Sequence, residues 1–247
     1  MRKLLIGGNW KMNKGIKETA EFADQIKDKK VSTEGVDVFI APPFTSLLEA
    51  LEDFKGTGIS VGAQNLFWED SGAYTGEISA VFLKELGVEW VIIGHSERRT
   101  YFGETNAGVK KKVEKALQKQ LKVVICVGET EEEREGGRAK EIVENQIEEG
   151  LLGVECNAET LAVAYEPVWA IGTGKTPHPE DAEEMHYIIR QKLGDMGDKV
   201  RIMYGGSVKP HNIKDFITQE DIDGALIGGA ALKADSFVEM INIAKEI

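Results

Sequence analysis

Residues 122–129, KVVICVGE, form a short apolar run that ends in polar residues. Seven similar runs recur along the chain, at residues 3–11, 36–43, 59–65, 90–97, 161–167, 200–207 and 223–230. Apolar residues are nearly continuous in each run, whereas half-exposed strands would alternate. The runs therefore predict eight strands buried on both faces of a parallel sheet.

The segments between successive runs predict helices. Residues 109–117, 182–193 and 237–244 place apolar side chains at the spacing of one helix face. Ser46 and Thr130 each have a glutamate three residues later, which is the capping-box pattern of a helix start. Strands and helices are thus expected to alternate.

Eight strand–helix repeats in 247 residues match the count and length of a closed (β/α)8 barrel. An open doubly wound sheet is the alternative, but the chain shows neither the second half-domain nor the fingerprint glycines that such sheets usually carry. We predict an α/β protein with a single barrel domain over residues 1–247.

Composition excludes several classes of function. A formal net charge of -12 argues against nonspecific binding to nucleic acid or to an anionic membrane. The first ten residues hold too few apolar side chains for a signal peptide, and no stretch reaches the length of a membrane span. Cys126 and Cys156 do not form a CxxC pair and predict reduced thiols in a cytoplasmic protein.

The glycine-rich stretch at residues 165–177, YEPVWAIGTGKTP, does not fit a nucleotide-binding loop. In a Walker-type loop, Trp169 would occupy the position of the first glycine. In the dinucleotide fingerprint, Pro177 would occupy the position of the third. The stretch needs another explanation.

In a barrel of this kind the active site forms at the carboxyl ends of the strands, so the residues that end each run are the candidates. They are Asn9, Lys11, Gln64, Asn65, His95, Glu97, Glu129, Glu166, Gly205 to Ser207, Gly228 and Gly229. Glu166 follows an apolar strand and precedes Pro167, which fixes the chain direction. A carboxylate partly removed from water can act as a base near neutral pH.

His95 and Lys11 lie on the same predicted rim. His95 precedes a predicted helix, whose positive end favours a neutral imidazole that can donate a hydrogen bond to an oxyanion. No second histidine or cysteine lies at metal-ligand spacing, so no metal site is predicted. Lys11 shares the rim with the glycine-rich ends of strands 7 and 8, where this fold commonly binds phosphate.

Eight motifs, in order from the first strand to the last, resemble those of the triosephosphate isomerase family: GNWKMN, GAQN, GAYTGEIS, GHSERR, CVGET, AYEPVWAIGTGKT, YGGSV and GALIGGA. The resemblance implies an isomerase that interconverts dihydroxyacetone phosphate and D-glyceraldehyde 3-phosphate through an enediolate, in glycolysis and gluconeogenesis. It implies no cofactor and no metal.

The resemblance also implies catalytic roles. Glu166 would be the base, and His95 the neutral electrophile that polarises the carbonyl. Asn9 and Lys11 would add positive potential and bind substrate, while Glu97 would position Lys11 and take part in proton transfer.

The same resemblance implies a phosphate-binding site, an active-site lid and a homodimer. Gly172, Ser207, Gly228 and Gly229 would bind the phosphate group, and residues 167–177 would form a flexible lid. Residues 65–79, with Thr75 near the tip, would form a dimerisation loop that docks beside the active site of a second copy.

Three other functions fit the sequence less well. Another phosphate-binding barrel enzyme acting on a sugar phosphate would share the fold and the phosphate glycines. The combination of Glu166, His95 and Lys11 with the lid motif favours the isomerase. A nucleotide-binding module fails on the glycine spacing, and a noncatalytic scaffold would be expected to lose the base or the electrophile.

Overall fold

A computed structural model describes residues 2–171 and 176–247 of the chain. Eight strands form a closed parallel barrel in sequence order, which confirms the predicted (β/α)8 architecture. The strands are β1 (Leu5–Asn9), β2 (Asp37–Ala41), β3 (Ser60–Ala63), β4 (Trp90–Ile93), β5 (Lys122–Val127), β6 (Leu161–Tyr165), β7 (Arg201–Tyr204) and β8 (Gly224–Ile227). The barrel closes where β1 pairs with β8, with Leu5 opposite Gly224.

Helices surround the barrel. They are α1 (Ile16–Asp28), α2 (Leu47–Asp53), α3 (Ala80–Leu86), α4 (Ser96–Phe102), α5 (Asn106–Gln118), α6 (Glu131–Glu135), α7 (Ala139–Leu151), α8 (Pro179–Lys192), α9 (Ile213–Ile217) and α10 (Ala234–Lys245). Val109, Val113 and Ala116 are buried on one face of α5, as their spacing predicts.

The strands are largely apolar because their two faces pack against two different cores. In β5, Val124 and Cys126 point into the barrel interior, while Val123 and Ile125 pack with the surrounding helices. Such burial on both faces explains why the apolar runs do not alternate with polar residues. Burial also raises the pKa of the Cys126 thiol well above its usual value.

One of the two predicted capping boxes is correct and the other is wrong. The hydroxyl of Thr130 accepts from the Glu133 amide at 3.3 Å, and the Glu133 carboxylate accepts from the Thr130 amide at 2.8 Å. Ser46 does precede α2, but its hydroxyl donates to the carbonyl of Lys14 at 3.0 Å and caps no helix. A loop distant in sequence supplies the better partner for Ser46.

No helix within the described ranges is both long and apolar enough to cross a membrane.

Candidate active site

A cavity of about 560 Å³ opens at the carboxyl ends of the strands. It is lined by seven of the nine residues to which the resemblance assigns a catalytic or phosphate-binding role: Asn9, Lys11, His95, Glu166, Ser207, Gly228 and Gly229. A larger cavity of about 720 Å³ lies on the other side of Glu166, against α5 and α7, but none of the other six residues lines it. The smaller cavity is therefore the candidate active site.

Glu166 and His95 form a buried pair at the floor of this cavity. One carboxylate oxygen of Glu166 lies 3.2 Å from His95 Nε2, and the other accepts from the backbone amide of Ser96 at 2.8 Å. Only 2% of Glu166 and 6% of His95 is exposed. Burial of this degree removes bulk water from the carboxylate, which is what a base needs in order to act on a bound ligand.

Local hydrogen bonding sets the tautomer of His95. His95 is the residue before α4, and its Nδ1 accepts from the backbone amide of Glu97 at 3.2 Å. In a neutral imidazole one nitrogen accepts and the other donates, so the proton is assigned to Nε2. His95 Nε2 therefore can donate a hydrogen bond into the cavity.

Lys11 is held in an uncommon backbone conformation. Its φ is +53°, in the left-handed region that costs free energy for a non-glycine residue. Asn9 Oδ1 accepts from the Lys11 amide at 3.0 Å, and Gln64 Nε2 donates to the Lys11 carbonyl at 2.8 Å. The Lys11 side chain then reaches the Glu97 carboxylate at 2.6 Å.

The charge of the cavity opposes that of the whole chain. Lys11, Lys209 and Lys233 line it, together with the single carboxylate of Glu166 among its described residues. Positive groups that converge on a concave, partly enclosed site attract anions even when the net charge of the protein is negative. The cavity is thus suited to an anionic ligand such as a phosphate ester.

A buried carboxylate, a histidine that can donate a hydrogen bond and a lysine at the rim of a (β/α)8 barrel agree with comparisons against known proteins. The family model described as triosephosphate isomerase matches residues 4–244. The chain belongs to the triosephosphate isomerase family. It is accordingly an isomerase that interconverts triose phosphates.

Three similar proteins, each described as a triosephosphate isomerase, illustrate the relationship. The one from Alkaliphilus metalliredigens is 49% identical over 248 residues, which covers 98% of this chain and 100% of that protein. Those from Carboxydothermus hydrogenoformans and Moorella thermoacetica are each 51% identical and cover 98% of this chain and 99% of the relative.

The remaining predicted residues of this triosephosphate isomerase family member lie in different places. Glu97 lines a neighbouring cavity of about 170 Å³, which also contacts Lys11 and His95. Gly172 lies outside the described residues, as do Gly174 and Lys175.

The described part of the predicted lid is anchored at its base. Ser207 Oγ donates to the carbonyl of Ala170 at 2.8 Å. The fully buried Glu129 accepts from the Trp169 indole at 3.0 Å and from the Tyr165 hydroxyl at 3.0 Å. Sequence reasoning placed Glu129 on the rim without a role; its role in the structure is to hold Trp169 and Tyr165.

The sequence does not single out two lysines of the cavity, and two of the predicted rim residues, both amides, line the neighbouring cavity of about 170 Å³. Lys209 and Lys233 line the cavity, but neither directly ends an apolar run, and exposed lysines are common. Gln64 supports the Lys11 backbone, and Asn65 accepts from the ammonium of Lys112 at 2.9 Å. Both amides line the cavity of about 170 Å³ that also contains Glu97, and neither lines the candidate active site.

In the part of the chain that the structure describes, no three His, Cys, Asp or Glu side chains come together in a way that could hold a metal ion.

Proposed function

We propose that Glu166 is the base that moves a proton between the two neighbouring carbons of dihydroxyacetone phosphate and D-glyceraldehyde 3-phosphate. The observation that carries this proposal is the buried contact between Glu166 and His95 Nε2 at 3.2 Å in the cavity that also contains Lys11. A carboxylate next to a hydrogen-bond donor is the pair that abstraction of a proton beside a carbonyl requires.

His95 acts as the neutral electrophile. Its Nε2–H donates to the substrate carbonyl oxygen and, more strongly, to the enediolate oxygen that develops when Glu166 takes the proton. The ammonium of Lys11, held by Glu97, adds positive potential, and the Asn9 amide fixes the backbone of Lys11. This use of a neutral histidine follows the known pattern for the family.

Ser207, Gly228 and Gly229 form the phosphate end of the site, and Gly172, which lies outside the described residues, is proposed to bind the same group. Small residues let backbone N–H groups approach a phosphate closely. Lys11 reaches this end of the cavity, since a Cβ on Gly228 would lie 3.9 Å from its Nζ. The chemistry uses a base, a donor and electrostatic stabilisation, and it requires neither a metal nor a cofactor.

A lid over residues 167–177 protects the intermediate. An enediolate beside a phosphate can expel that phosphate, so exclusion of water and closure favour reprotonation. The contacts of Trp169 with Glu129 and of Ala170 with Ser207 support a firm base for the leading end of such a lid.

Glu166→Gln tests the assignment of the base. A coupled assay follows conversion of D-glyceraldehyde 3-phosphate into dihydroxyacetone phosphate with EDTA present. Loss of the base should lower kcat by about 10²- to 10⁴-fold or more. The matched control is Glu34→Gln, an exposed glutamate before β2, which should retain the parent rate. A near-parent kcat in Glu166→Gln would remove Glu166 from this role.

We also propose that the protein acts as a homodimer through residues 65–79. This loop is folded back on itself: the amide of Phe67 donates to the carbonyl of Ile78 at 2.8 Å, and the Phe67 ring lies 4.8 Å from that of Tyr74. Thr75 at its tip is exposed. A compact loop with an exposed tip is suited to docking into another surface.

The proposed receptor for that tip is a cavity at the rim of the barrel. The cavity of about 170 Å³ beside Lys11 and Glu97 is bordered by Met12 and Phe102, which are 94% and 67% exposed. Large apolar side chains left this exposed near a concave site are typical of an interaction surface. A second copy that inserts Thr75 there would contact the neighbours of the catalytic lysine.

Sedimentation equilibrium at micromolar concentration tests the dimer. The parent should sediment at twice the 27.2 kDa chain mass, whereas Phe102→Glu should shift it toward the monomer. Tyr187→Glu, which changes an exposed aromatic residue on α8, is the control and should leave the dimer intact. A parent that sediments only at the chain mass would contradict the proposal.

A cytoplasmic location is consistent with the free thiols of Cys126 and Cys156, since thiols stay reduced in that compartment. Fractionation of the native cells, with the activity assayed in each fraction, tests it.

A further inference from the structure

The backbone of Gly128 lies directly against the backbone of Glu166. A Cβ atom placed on Gly128 would be 1.8 Å from the Glu166 carbonyl oxygen and 3.2 Å from its Cα. Only a residue without a side chain fits at this position, so the two backbones pack directly against each other. The position of Gly128 therefore determines where the Glu166 backbone lies.

The side chain of Gln146 holds Gly128 in place. Hydrogen bonds continue the pairing of β5 with β6 on both sides of Gly128, from the Glu166 amide to the Val127 carbonyl at 2.7 Å and from the Val168 amide to the Glu129 carbonyl at 3.0 Å. Gly128 lies between Val127 and Glu129 and bonds to a side chain instead. Its amide donates to Gln146 Oε1 at 2.7 Å, and its carbonyl accepts from Gln146 Nε2 at 3.0 Å.

The helix that carries Gln146 is a firm support. Val143 and Ile147 of α7 are buried, and Gly150 lets the helix approach Ile125 of β5 closely. One turn from Gln146, the carboxylate of Glu149 accepts from Asn106 at 2.9 Å. The amide of Gln146 therefore connects a packed helix to the strand end beside the base.

We propose that Gln146 is a positioning residue that fixes the backbone of Glu166 through Gly128. The proposal rests on the proposed role of Glu166 as the base. The Glu166 carboxylate now contacts both Ser96 N and His95 Nε2, and it must exchange a partner to reach a carbon of the substrate. The carboxylate reaches the same position in every turnover only if the Glu166 side chain rotates about a fixed backbone.

The effect of Gln146 should appear in kcat and not in KM. Gln146 does not line the candidate active site, so substrate binding does not depend on it. Misplacement of a reacting group by about 1 Å can slow a reaction by about 10²-fold. Loss of the Gln146 hydrogen bonds should therefore slow proton transfer while the phosphate is bound as before.

Gln146→Leu tests this expectation in the coupled assay. We expect kcat to fall by about 10- to 100-fold with KM unchanged. The matched control is Asn145→Leu, which removes an exposed amide from the neighbouring position of α7. A parent-like kcat in Gln146→Leu, or a change confined to KM, would overturn the proposal.

Gln146→Glu gives a second test, because the hydrogen bonds to Gly128 can be changed by pH in a single variant. A protonated carboxyl can accept from the Gly128 amide and donate to its carbonyl, as the glutamine does, but an ionised carboxylate can only accept. The ratio of the variant kcat to the parent kcat should therefore rise as pH falls and the introduced carboxyl is protonated. A ratio that does not change with pH would contradict the proposal.

Glu166→Gln, measured in parallel, separates the two proposals. If that variant keeps the parent kcat, the role of Glu166 itself fails. If it loses activity while both Gln146 variants behave as the parent does, only the positioning role of Gln146 fails.

Discussion

Replacement of Gly128 by alanine should damage catalysis by displacing the backbone of Glu166 while the Glu166 carboxylate itself stays unchanged. The added Cβ would lie 1.8 Å from the Glu166 carbonyl oxygen, and real Cβ atoms essentially never approach closer than 3.0 Å. The two backbones must therefore separate by at least 3.0 minus 1.8, or 1.2 Å. Gln146 binds Gly128 from the other side, so much of this displacement should fall on Glu166.

A displacement of this size predicts a loss of about 10²-fold in kcat, by the sensitivity of enzymes to misplacement of a reacting group by about 1 Å. Overpacking should also lower the free energy of unfolding by about 1–3 kcal/mol. The coupled assay gives kcat, and urea unfolding gives the stability. Both are measured well below the temperature at which the variant unfolds.

Gly108→Ala is the matched control. Gly108 lies in α5, and a Cβ there would meet its nearest neighbour at an ordinary 3.5 Å. Gly108 is in the first turn of α5, where alanine is favoured over glycine by up to about 0.5–1 kcal/mol, so this variant should be as active as the parent and slightly more stable. A folded Gly128→Ala variant with parent-like kcat would refute the link between the Gly128 contact and the base.

Three further predictions concern other parts of the molecule. Lys11→Met should lower kcat/KM by about 10²- to 10³-fold in the coupled assay, because it removes positive charge from the site of the developing oxyanion; an unchanged kcat/KM would exclude Lys11 from the site. Arg190→Met leaves the carboxylate of Asp221 buried without its partner and should cost about 3–5 kcal/mol in urea unfolding, with little effect on kcat because this pair lies near the amino ends of the strands. Burial lowers the pKa of His186 from 6.5 to about 4, so the unfolded chain takes up a proton between these values and the folded chain does not. Stability should therefore fall by up to about 3 kcal/mol as the pH is lowered through this window; a stability difference between the parent and His186→Gln that stays constant across the window would contradict this reasoning.

The barrel could be predicted from the sequence because its strands are short, buried on both faces and separated by helices. The run at residues 122–129 has this pattern, and β5 occupies Lys122–Val127. Local patterns were less reliable where a distant segment competed for a side chain. Ser46 has the spacing of a capping box, but the carbonyl of Lys14 takes its hydroxyl.

The candidate site was predictable where a residue ends a strand, as His95 and Glu166 do. Gln146 gave no such signal, because one amide on a helix looks like any other polar surface residue. Gly128 was visible only as a glycine in a motif, since its closeness to Glu166 depends on the register between β5 and β6. The contacts of Gly128 with Gln146 and with Glu166 join segments that are distant in sequence, and the periodicity of apolar residues cannot predict such contacts.

The closure of the barrel through β1 and β8 has a consequence for the order of assembly. Leu5 pairs with Gly224, so the last join of the sheet closes a loop of 224 minus 5, or 219, residues. Until it forms, β1 and β8 each present an unpaired edge, which is a template for wrong association. The cavity takes Asn9 from one side of that join and Gly228 from the other, so a growing polypeptide gains its ligand site only when synthesis is nearly finished.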